Sequence, residues 1–239
     1  MNGKFKTFLK SRLPFLVPLW RRIKFFSFSG TSPQQRFTRI FRRNTWGDAD
    51  SISGTGSSLI QTEAVRQVLP SLVRELNCRS LLDIPCGDFF WMKSVGLDVE
   101  YIGGDIVDEL IGNNQRRYGG EGRRFMHLDL LQDTLPEVDL ILCRDCLVHF
   151  SYKHIFQALR NIKRSGIRYL LTTTFVERDR NEDIPTGGWR PVNLQRPPFN
   201  FPAPMELIDE QCPDDGYRDK HLGLWKTADI PIFPDVLSP

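Results

Sequence analysis

Acidic side chains are missing from the first 47 residues of this 239-residue chain, a stretch with 11 lysines and arginines. The rest of the chain holds 21 basic and 29 acidic residues. The formal net charge of +3 therefore hides a mildly acidic body behind a basic start. Such a body is ill suited to gripping a phosphate backbone by bulk electrostatics, which argues against nucleic acid as a partner. Cysteine is sparse as well. Cys78, Cys86, Cys143, Cys146 and Cys212 give no disulfide framework for this length, so a reducing, cytoplasmic setting is expected. Cys143 and Cys146 have C-x-x-C spacing, but no second pair follows. Core packing, and no metal site, is the expectation for them. Long apolar runs are also absent. None reaches the roughly 20 residues that span a bilayer, which excludes a multi-span membrane protein. Hydrophobic residues at 40% and charged residues at 26% exclude a wholly disordered or fibrous chain.

The basic start reads MNGKFKTFLKSRLPFLVPLWRRIKFFSF. Phe5, Phe8, Leu9, Leu13, Leu16 and Leu19 recur at three- to four-residue spacing among Lys4, Lys6, Lys10, Arg12, Arg21, Arg22 and Lys24. Pro14 and Pro18 interrupt any long helix. A secretory signal calls for a cleaner apolar core and a small-residue cleavage site. Three readings stay open: peripheral membrane contact through residues 1–28, an organelle transit peptide, and a tail docked on the domain. We read residues 1–45 as an extension and 46–239 as the body.

The body alternates short apolar runs with polar segments. SLLDI (80–84), VEYIGGD (99–105), RRFMHLDL (123–130), VDLILCRD (138–145) and RYLLTTTF (168–175) are strand candidates. The periodicity predicts a helix from Thr62 to Leu76, with Pro70 inside it as a kink or a split. A second helix is predicted over Ser151–Ser165, with Ser151 as its N-cap. Strands alternating with helices imply an α/β fold with a doubly wound, mostly parallel sheet. PMELIDE (204–210) and KHLGLWKTA (220–228) complete seven strands as a closing antiparallel hairpin. Ten of the 16 prolines fall in residues 185–239. The irregular, aromatic stretch at about 183–203 is too long for a simple connector, so it is a lid over a site or a structural wrap.

In open α/β sheets ligands sit at the carboxyl ends of the strands. Four of those ends carry acids here: Asp83, Asp105, Asp129 and Asp145, the last behind Arg144. Asp105 stands 22 residues after Asp83, where an acid can accept hydrogen bonds from a ribose diol. A dinucleotide does not suit the first turn, Asp83-Ile84-Pro85-Cys86-Gly87-Asp88. It has one glycine, Pro85 offers no N–H, and Asp88 sets a negative charge where a pyrophosphate would lie. A nucleoside with a cationic head, an amino group or a sulfonium, suits it better.

LLDIPCGDFFWM, YIGGD, Asp129 and LILCRDCLVHF resemble the motifs of class I S-adenosylmethionine-dependent methyltransferases, over roughly residues 46–175. The resemblance is to a bacterial-type subgroup with a D-x-P-C-G-D first motif, an upstream W…S-x-S-G-x-G-S segment and a downstream N-L…P-F stretch. Here these are Trp46…Ser51-Ile52-Ser53-Gly54-Thr55-Gly56-Ser57 and Asn193-Leu194…Pro198-Phe199. Pro85, and Phe89 in place of a last glycine, depart from the commoner loop. The resemblance implies a Rossmann-like methyltransferase fold and S-adenosylmethionine as cofactor. It places Asp83, Pro85, Cys86, Gly87 and Asp88 around the methionine part, Asp105 on the ribose, and Asp129 with the Leu130 N–H at the adenine. Arg144 and Asp145 fall near the sulfonium, while Trp46, Ser53 and Gly54 close from the N-terminal side.

Methyl transfer from a sulfonium is an in-line displacement, so the enzyme aligns the acceptor and excludes water. A hydroxyl acceptor also calls for a base. His149 is the candidate, with Asp145 as orienter or alternative base. The loop after the fourth strand reads Cys143-Arg144-Asp145-Cys146, without the N-P-P-Y or D-P-P-Y motif of many nucleobase methyltransferases. Trp189, Phe199 and Phe201 suit a ring. The expected acceptor is a small molecule, glycan or lipid-linked sugar. A nucleic-acid or protein methyltransferase and a non-catalytic cofactor-binding module remain the alternatives.

Overall fold

The computed structural model describes residues 30–233. The basic amphipathic stretch of residues 1–28 lies outside them. Among the described residues, seven strands form one sheet in the order β3-β2-β1-β4-β5-β7-β6. They are β1 (Ser80–Asp83), β2 (Glu100–Asp105), β3 (Arg123–His127), β4 (Leu140–Cys143), β5 (Tyr169–Phe175), β6 (Glu206–Asp209) and β7 (Lys220–Lys226). The first five pair in parallel, and β7 runs antiparallel between β5 and β6. The α/β sheet with its closing hairpin is therefore as the sequence predicts, each strand trimmed by a residue or more at its ends. VDLILCRD shortens most, to the 4 residues Leu140–Cys143. RRFMHLDL stops at His127, because Asp129 and Leu131 turn back on themselves: Leu131 N donates to Asp129 Oδ1 at 2.9 Å.

The central strands are buried on both sides. Leu81, Leu82, Leu140, Ile141, Leu142, Leu170 and Leu171 have no exposed surface, as continuous apolar runs in a parallel sheet should. Successive side chains point to opposite faces. Leu82, Ile141 and Leu170 meet helix α4 (Tyr152–Arg164) on one side. Leu81, Leu142 and Leu171 meet helix α2 (Glu63–Glu75) on the other. Ser151 caps α4 as predicted, accepting from the His154 N–H at 3.4 Å. Pro70 does not split α2: the helix runs through it, held by Val65, Leu69, Leu72 and Val73 buried along one face. That burial outweighs the lost backbone hydrogen bond.

Two helices lie outside the sequence reading. Helix α1 (Pro33–Arg42) opens on a capping box between Ser32 and Gln35. Helix α3 (Asp108–Tyr118) follows β2. Conversely, the β1–β2 crossover has no α-helix, only a short 3₁₀ turn at Met92–Ser94. Gly87 and Phe89 both take positive φ, 54° and 58°, which breaks a right-handed helix at its start. Phe89, Trp91 and Met92 fill that space with buried side chains instead.

Residues 183–203 contain no helix or strand. Asn193 ties them to the body: its Nδ2 donates to Arg178 O at 2.9 Å and its N–H to Asn181 Oδ1 at 2.9 Å. The chain then doubles back, Phe201 N donating to Leu194 O at 2.9 Å. That turn aims Phe199 and Phe201 into the core against Tyr152, Phe156 and Trp225. These two rings are thus core and not a ring-binding surface. Trp189, by contrast, reaches the cavity described next.

Candidate active site

A cavity of about 410 Å³ opens beside the carboxyl ends of β1 and β4. The strand order reverses between these two strands, which is where open α/β sheets hold ligands. Every residue expected from the sequence to bind the cofactor or act in catalysis lines it: Trp46, Ser53, Gly54, Asp83, Pro85, Cys86, Gly87, Asp88, Asp105, Asp129, Leu130, Arg144, Asp145 and His149.

Two of the strand-end carboxylates are deeply buried. Burial pushes Asp83 up to about 7, against a 2.6 Å hydrogen bond donated by the Tyr101 hydroxyl and the nearby Arg144 guanidinium. Burial also pushes Asp105 up to about 6, although the Val107 and Gly87 N–H groups donate to its two oxygens at 2.9 and 3.1 Å. Asp129 is raised by burial too, with the Leu131 amide opposing. A bound cation would favour the ionised form of such desolvated carboxylates.

The turn after β1 is fixed by its neighbours. Asn114 of α3 donates to Gly87 O at 2.7 Å. Asp88 faces the upstream loop, accepting from Ser51 Oγ at 2.9 Å, Ile52 N at 3.0 Å and Ser53 Oγ at 3.1 Å. The Asp88 N–H in turn donates to Ser53 Oγ at 3.0 Å. Asp88 therefore clamps the Ser51–Gly54 loop over the cavity. Gly87 is required twice over, by its φ of 54° and because a Cβ would collide with Ser53 Oγ.

Behind β4 lies a buried ionic network. Arg144 pairs with Glu210 at 2.5 Å and with Asp145 at 3.2 Å. It also donates to Gly56 O at 2.7 Å. Lys220 pairs with Asp145 at 2.7 Å and with Glu210 at 3.2 Å. Burial alone would raise the Asp145 carboxyl, but Lys220 and Arg144 hold it at about 2. Asp145 is thus a fixed anion and a poor proton acceptor near neutral pH. Arg144, 4% exposed in its side chain, works as a strut between the Gly56 loop and the hairpin. Sequence patterns could not show Glu210 and Lys220, since more than 60 residues separate them from Arg144 and Asp145.

His149 differs. Its Nδ1–H donates to Gly188 O at 2.7 Å, which leaves the Nε2 lone pair free to accept. Burial lowers its pKa, so the ring is neutral near pH 7. Trp46 stacks on it with centroids 4.6 Å apart. Phe37 of α1 packs on Trp46 at 6.3 Å and on Phe150 at 6.0 Å. Helix α1, N-terminal to the sequence boundary at 45/46, therefore forms part of the cavity wall. The turn carrying His149 is strapped from residues 186–190. Arg190 donates to Leu147 O at 2.9 Å and Phe150 O at 2.7 Å, and Gly187 N donates to His149 O at 2.8 Å.

Cys143 and Cys146 are buried in the core. Among the described residues no group of three or more His, Cys, Asp or Glu side chains is placed to hold a metal ion. None of the described helices is long and apolar enough to cross a membrane.

No family model matches the chain, and no curated protein matches it. Solved structures do. Human N-acetylserotonin methyltransferase, in complex with S-adenosylmethionine, aligns over 82% of this chain with a TM-score of 0.53 and 13% identity. This chain spans 59% of that enzyme's length. The N-methyltransferase NodS from Bradyrhizobium japonicum, in complex with S-adenosylhomocysteine, aligns over 59% of this chain and 74% of its own at 17% identity and a TM-score of 0.47. Magnesium protoporphyrin IX methyltransferase from Synechocystis, with bound S-adenosylmethionine, aligns over 65% and 82% at 17% identity and a TM-score of 0.45. The fold is the Rossmann-like methyltransferase fold.

Proposed function

We propose that this protein is an S-adenosylmethionine-dependent methyltransferase acting on a small-molecule or glycan acceptor, lipid-linked sugars included. One observation carries the reading. Three acids from successive strand ends, Asp83, Asp105 and Asp129, line a single cavity at the sheet's switch point. The adjoining turn offers no glycine-rich cradle for a pyrophosphate.

The residues present fit the cofactor. Asp105 is placed to accept from a ribose diol and Asp129 from an exocyclic amine. Asp83 and the Pro85–Asp88 turn surround the methionine part, where anionic Asp83 offsets positive charge. Arg144 lines the wall near the sulfonium, with anionic Asp145 beside it. Trp46, Ser53 and Gly54 close the site and exclude water. Bound there, S-adenosylmethionine supplies an electrophilic methyl group. His149 Nε2 accepts the proton of an acceptor hydroxyl. Asp145, pinned by Lys220, keeps its negative charge beside the ring and favours the imidazolium that results.

The basic, acid-free residues 1–28 support a peripheral association with an anionic membrane surface. Incubation of the full chain with methyl-labelled S-adenosylmethionine and fractionated cell material tests the acceptor class. Label is expected in small-molecule or glycolipid fractions. Label confined to RNA or protein would contradict the acceptor class. Cofactor binding without any transfer would favour a non-catalytic module.

A further inference from the structure

Aromatic rings give the cavity a second chemistry. Phe37, Phe41, Trp46, Trp189 and Tyr217 line it, each only partly buried. Trp189 meets Tyr217 edge-on at 4.8 Å and Phe175 at 6.1 Å, so the three rings brace one another into a rigid wall. Trp189 directly follows Gly188, whose carbonyl holds His149. The wall thus shares one cavity with His149, whose Nε2 is left free to accept by the Nδ1 contact to Gly188.

Charge completes the description. Six aspartates line the cavity, Asp83, Asp88, Asp105, Asp129, Asp145 and Asp214, against two cations, Arg144 and Lys220. Both cations are already engaged, each with Asp145 and Glu210. No lining lysine or arginine is left to receive a phosphate or carboxylate, and the acids, in excess of the cations even with Asp83 protonated, would repel either one. Aromatic faces favour the apolar face of a ring.

Resting on the methyltransferase reading, we infer that the acceptor group entering this cavity is an uncharged ring hydroxyl. The ring lies against Trp189 and Tyr217 and is O-methylated with His149 as base. In that step the acceptor oxygen forms a bond to the methyl carbon as the carbon–sulfur bond breaks. The sulfonium leaves as the neutral thioether S-adenosylhomocysteine. The hydroxyl proton passes to His149 Nε2 and then to water. Any phosphate of a lipid-linked or nucleotide-linked acceptor stays outside the cavity.

The test uses the full chain and reads S-adenosylhomocysteine formation. The probes are catechol, 5-hydroxyindole and methyl α-D-mannopyranoside, set against phenyl phosphate bearing an ortho-hydroxyl and against mannose 6-phosphate. S-adenosylmethionine affinity is measured first by calorimetry. Turnover of at least one neutral ring, tenfold or more above its phosphorylated counterpart, is expected. Trp189→Ala should raise the acceptor KM tenfold or more with cofactor affinity unchanged. Tyr217→Ala should act the same way if Trp189→Ala does not fold. Equal or better use of the phosphorylated probes would overturn the inference, as would folded wall variants with unchanged acceptor KM. A wild type that binds the cofactor but methylates none of the neutral rings overturns the inference and leaves the methyltransferase reading standing. A wild type that binds no cofactor takes down both.

Discussion

Asp83 has to be expensive before it can be useful. Its carboxyl sits at about 7 in the native state against an ordinary value near 4. Between those limits the folded protein holds a proton that the unfolded chain releases. The group's contribution to stability is therefore present at low pH and is lost as pH rises through about 7. Asp83→Asn removes the penalty. Its melting temperature should exceed wild type at pH 8 and converge with it toward pH 4, while affinity for S-adenosylmethionine falls about tenfold for want of the opposing charge. A variant less stable than wild type at pH 8 would contradict this account of the burial. Lys220 makes the opposite case. Lys220→Met leaves Asp145 and Glu210 sharing Arg144 alone in a buried setting. The loss should reach about 3 kcal/mol in chemical denaturation.

At the scale of elements, the site depends on three straps: the Ser51–Gly54 loop over the β1 turn, the 186–190 segment over the His149 turn, and the β6–β7 hairpin under Asp145. Gly87→Ala should cost about 1–2 kcal/mol, because positive φ and the collision with Ser53 act together. It should also weaken cofactor binding by opening the clamp. Arg190 is a positioning residue for His149, since it holds the carbonyls on either side of it in the turn. Arg190→Ala should lower kcat tenfold or more with cofactor affinity unchanged, and Arg190→Lys should restore part of it. A loss confined to cofactor affinity would show that the strap serves the other half of the cavity. What was legible in the sequence follows this division. Strands and acids at their ends were readable because continuous apolar runs followed by Asp are a local pattern. The straps were not, because Ser51–Asp88, Arg190–Leu147 and Lys220–Asp145 are pairings between distant segments. Helix α1 was missed although Ser32 and Gln35 carry a capping-box signal; its apolar face is only Phe37, Ile40 and Phe41. The aromatic 183–203 stretch misled because composition does not say which side of a loop faces the core.

For the whole molecule, charge is divided by position. The excess positive charge lies on the first 47 residues, and the cavity they precede is acid-rich. Full-length protein should sediment with phosphatidylserine vesicles at low salt and release at about 0.5 M salt, where screening falls to a few ångströms. Binding that is indifferent to salt would point away from an electrostatic contact. The central claim, however, is the cofactor. Calorimetric titration of the purified full chain with S-adenosylmethionine and S-adenosylhomocysteine, beside Asp105→Ala, tests it most directly. Binding in the micromolar range by wild type, weakened tenfold or more in the variant, is the predicted result. A folded wild type that binds neither ligand would contradict it.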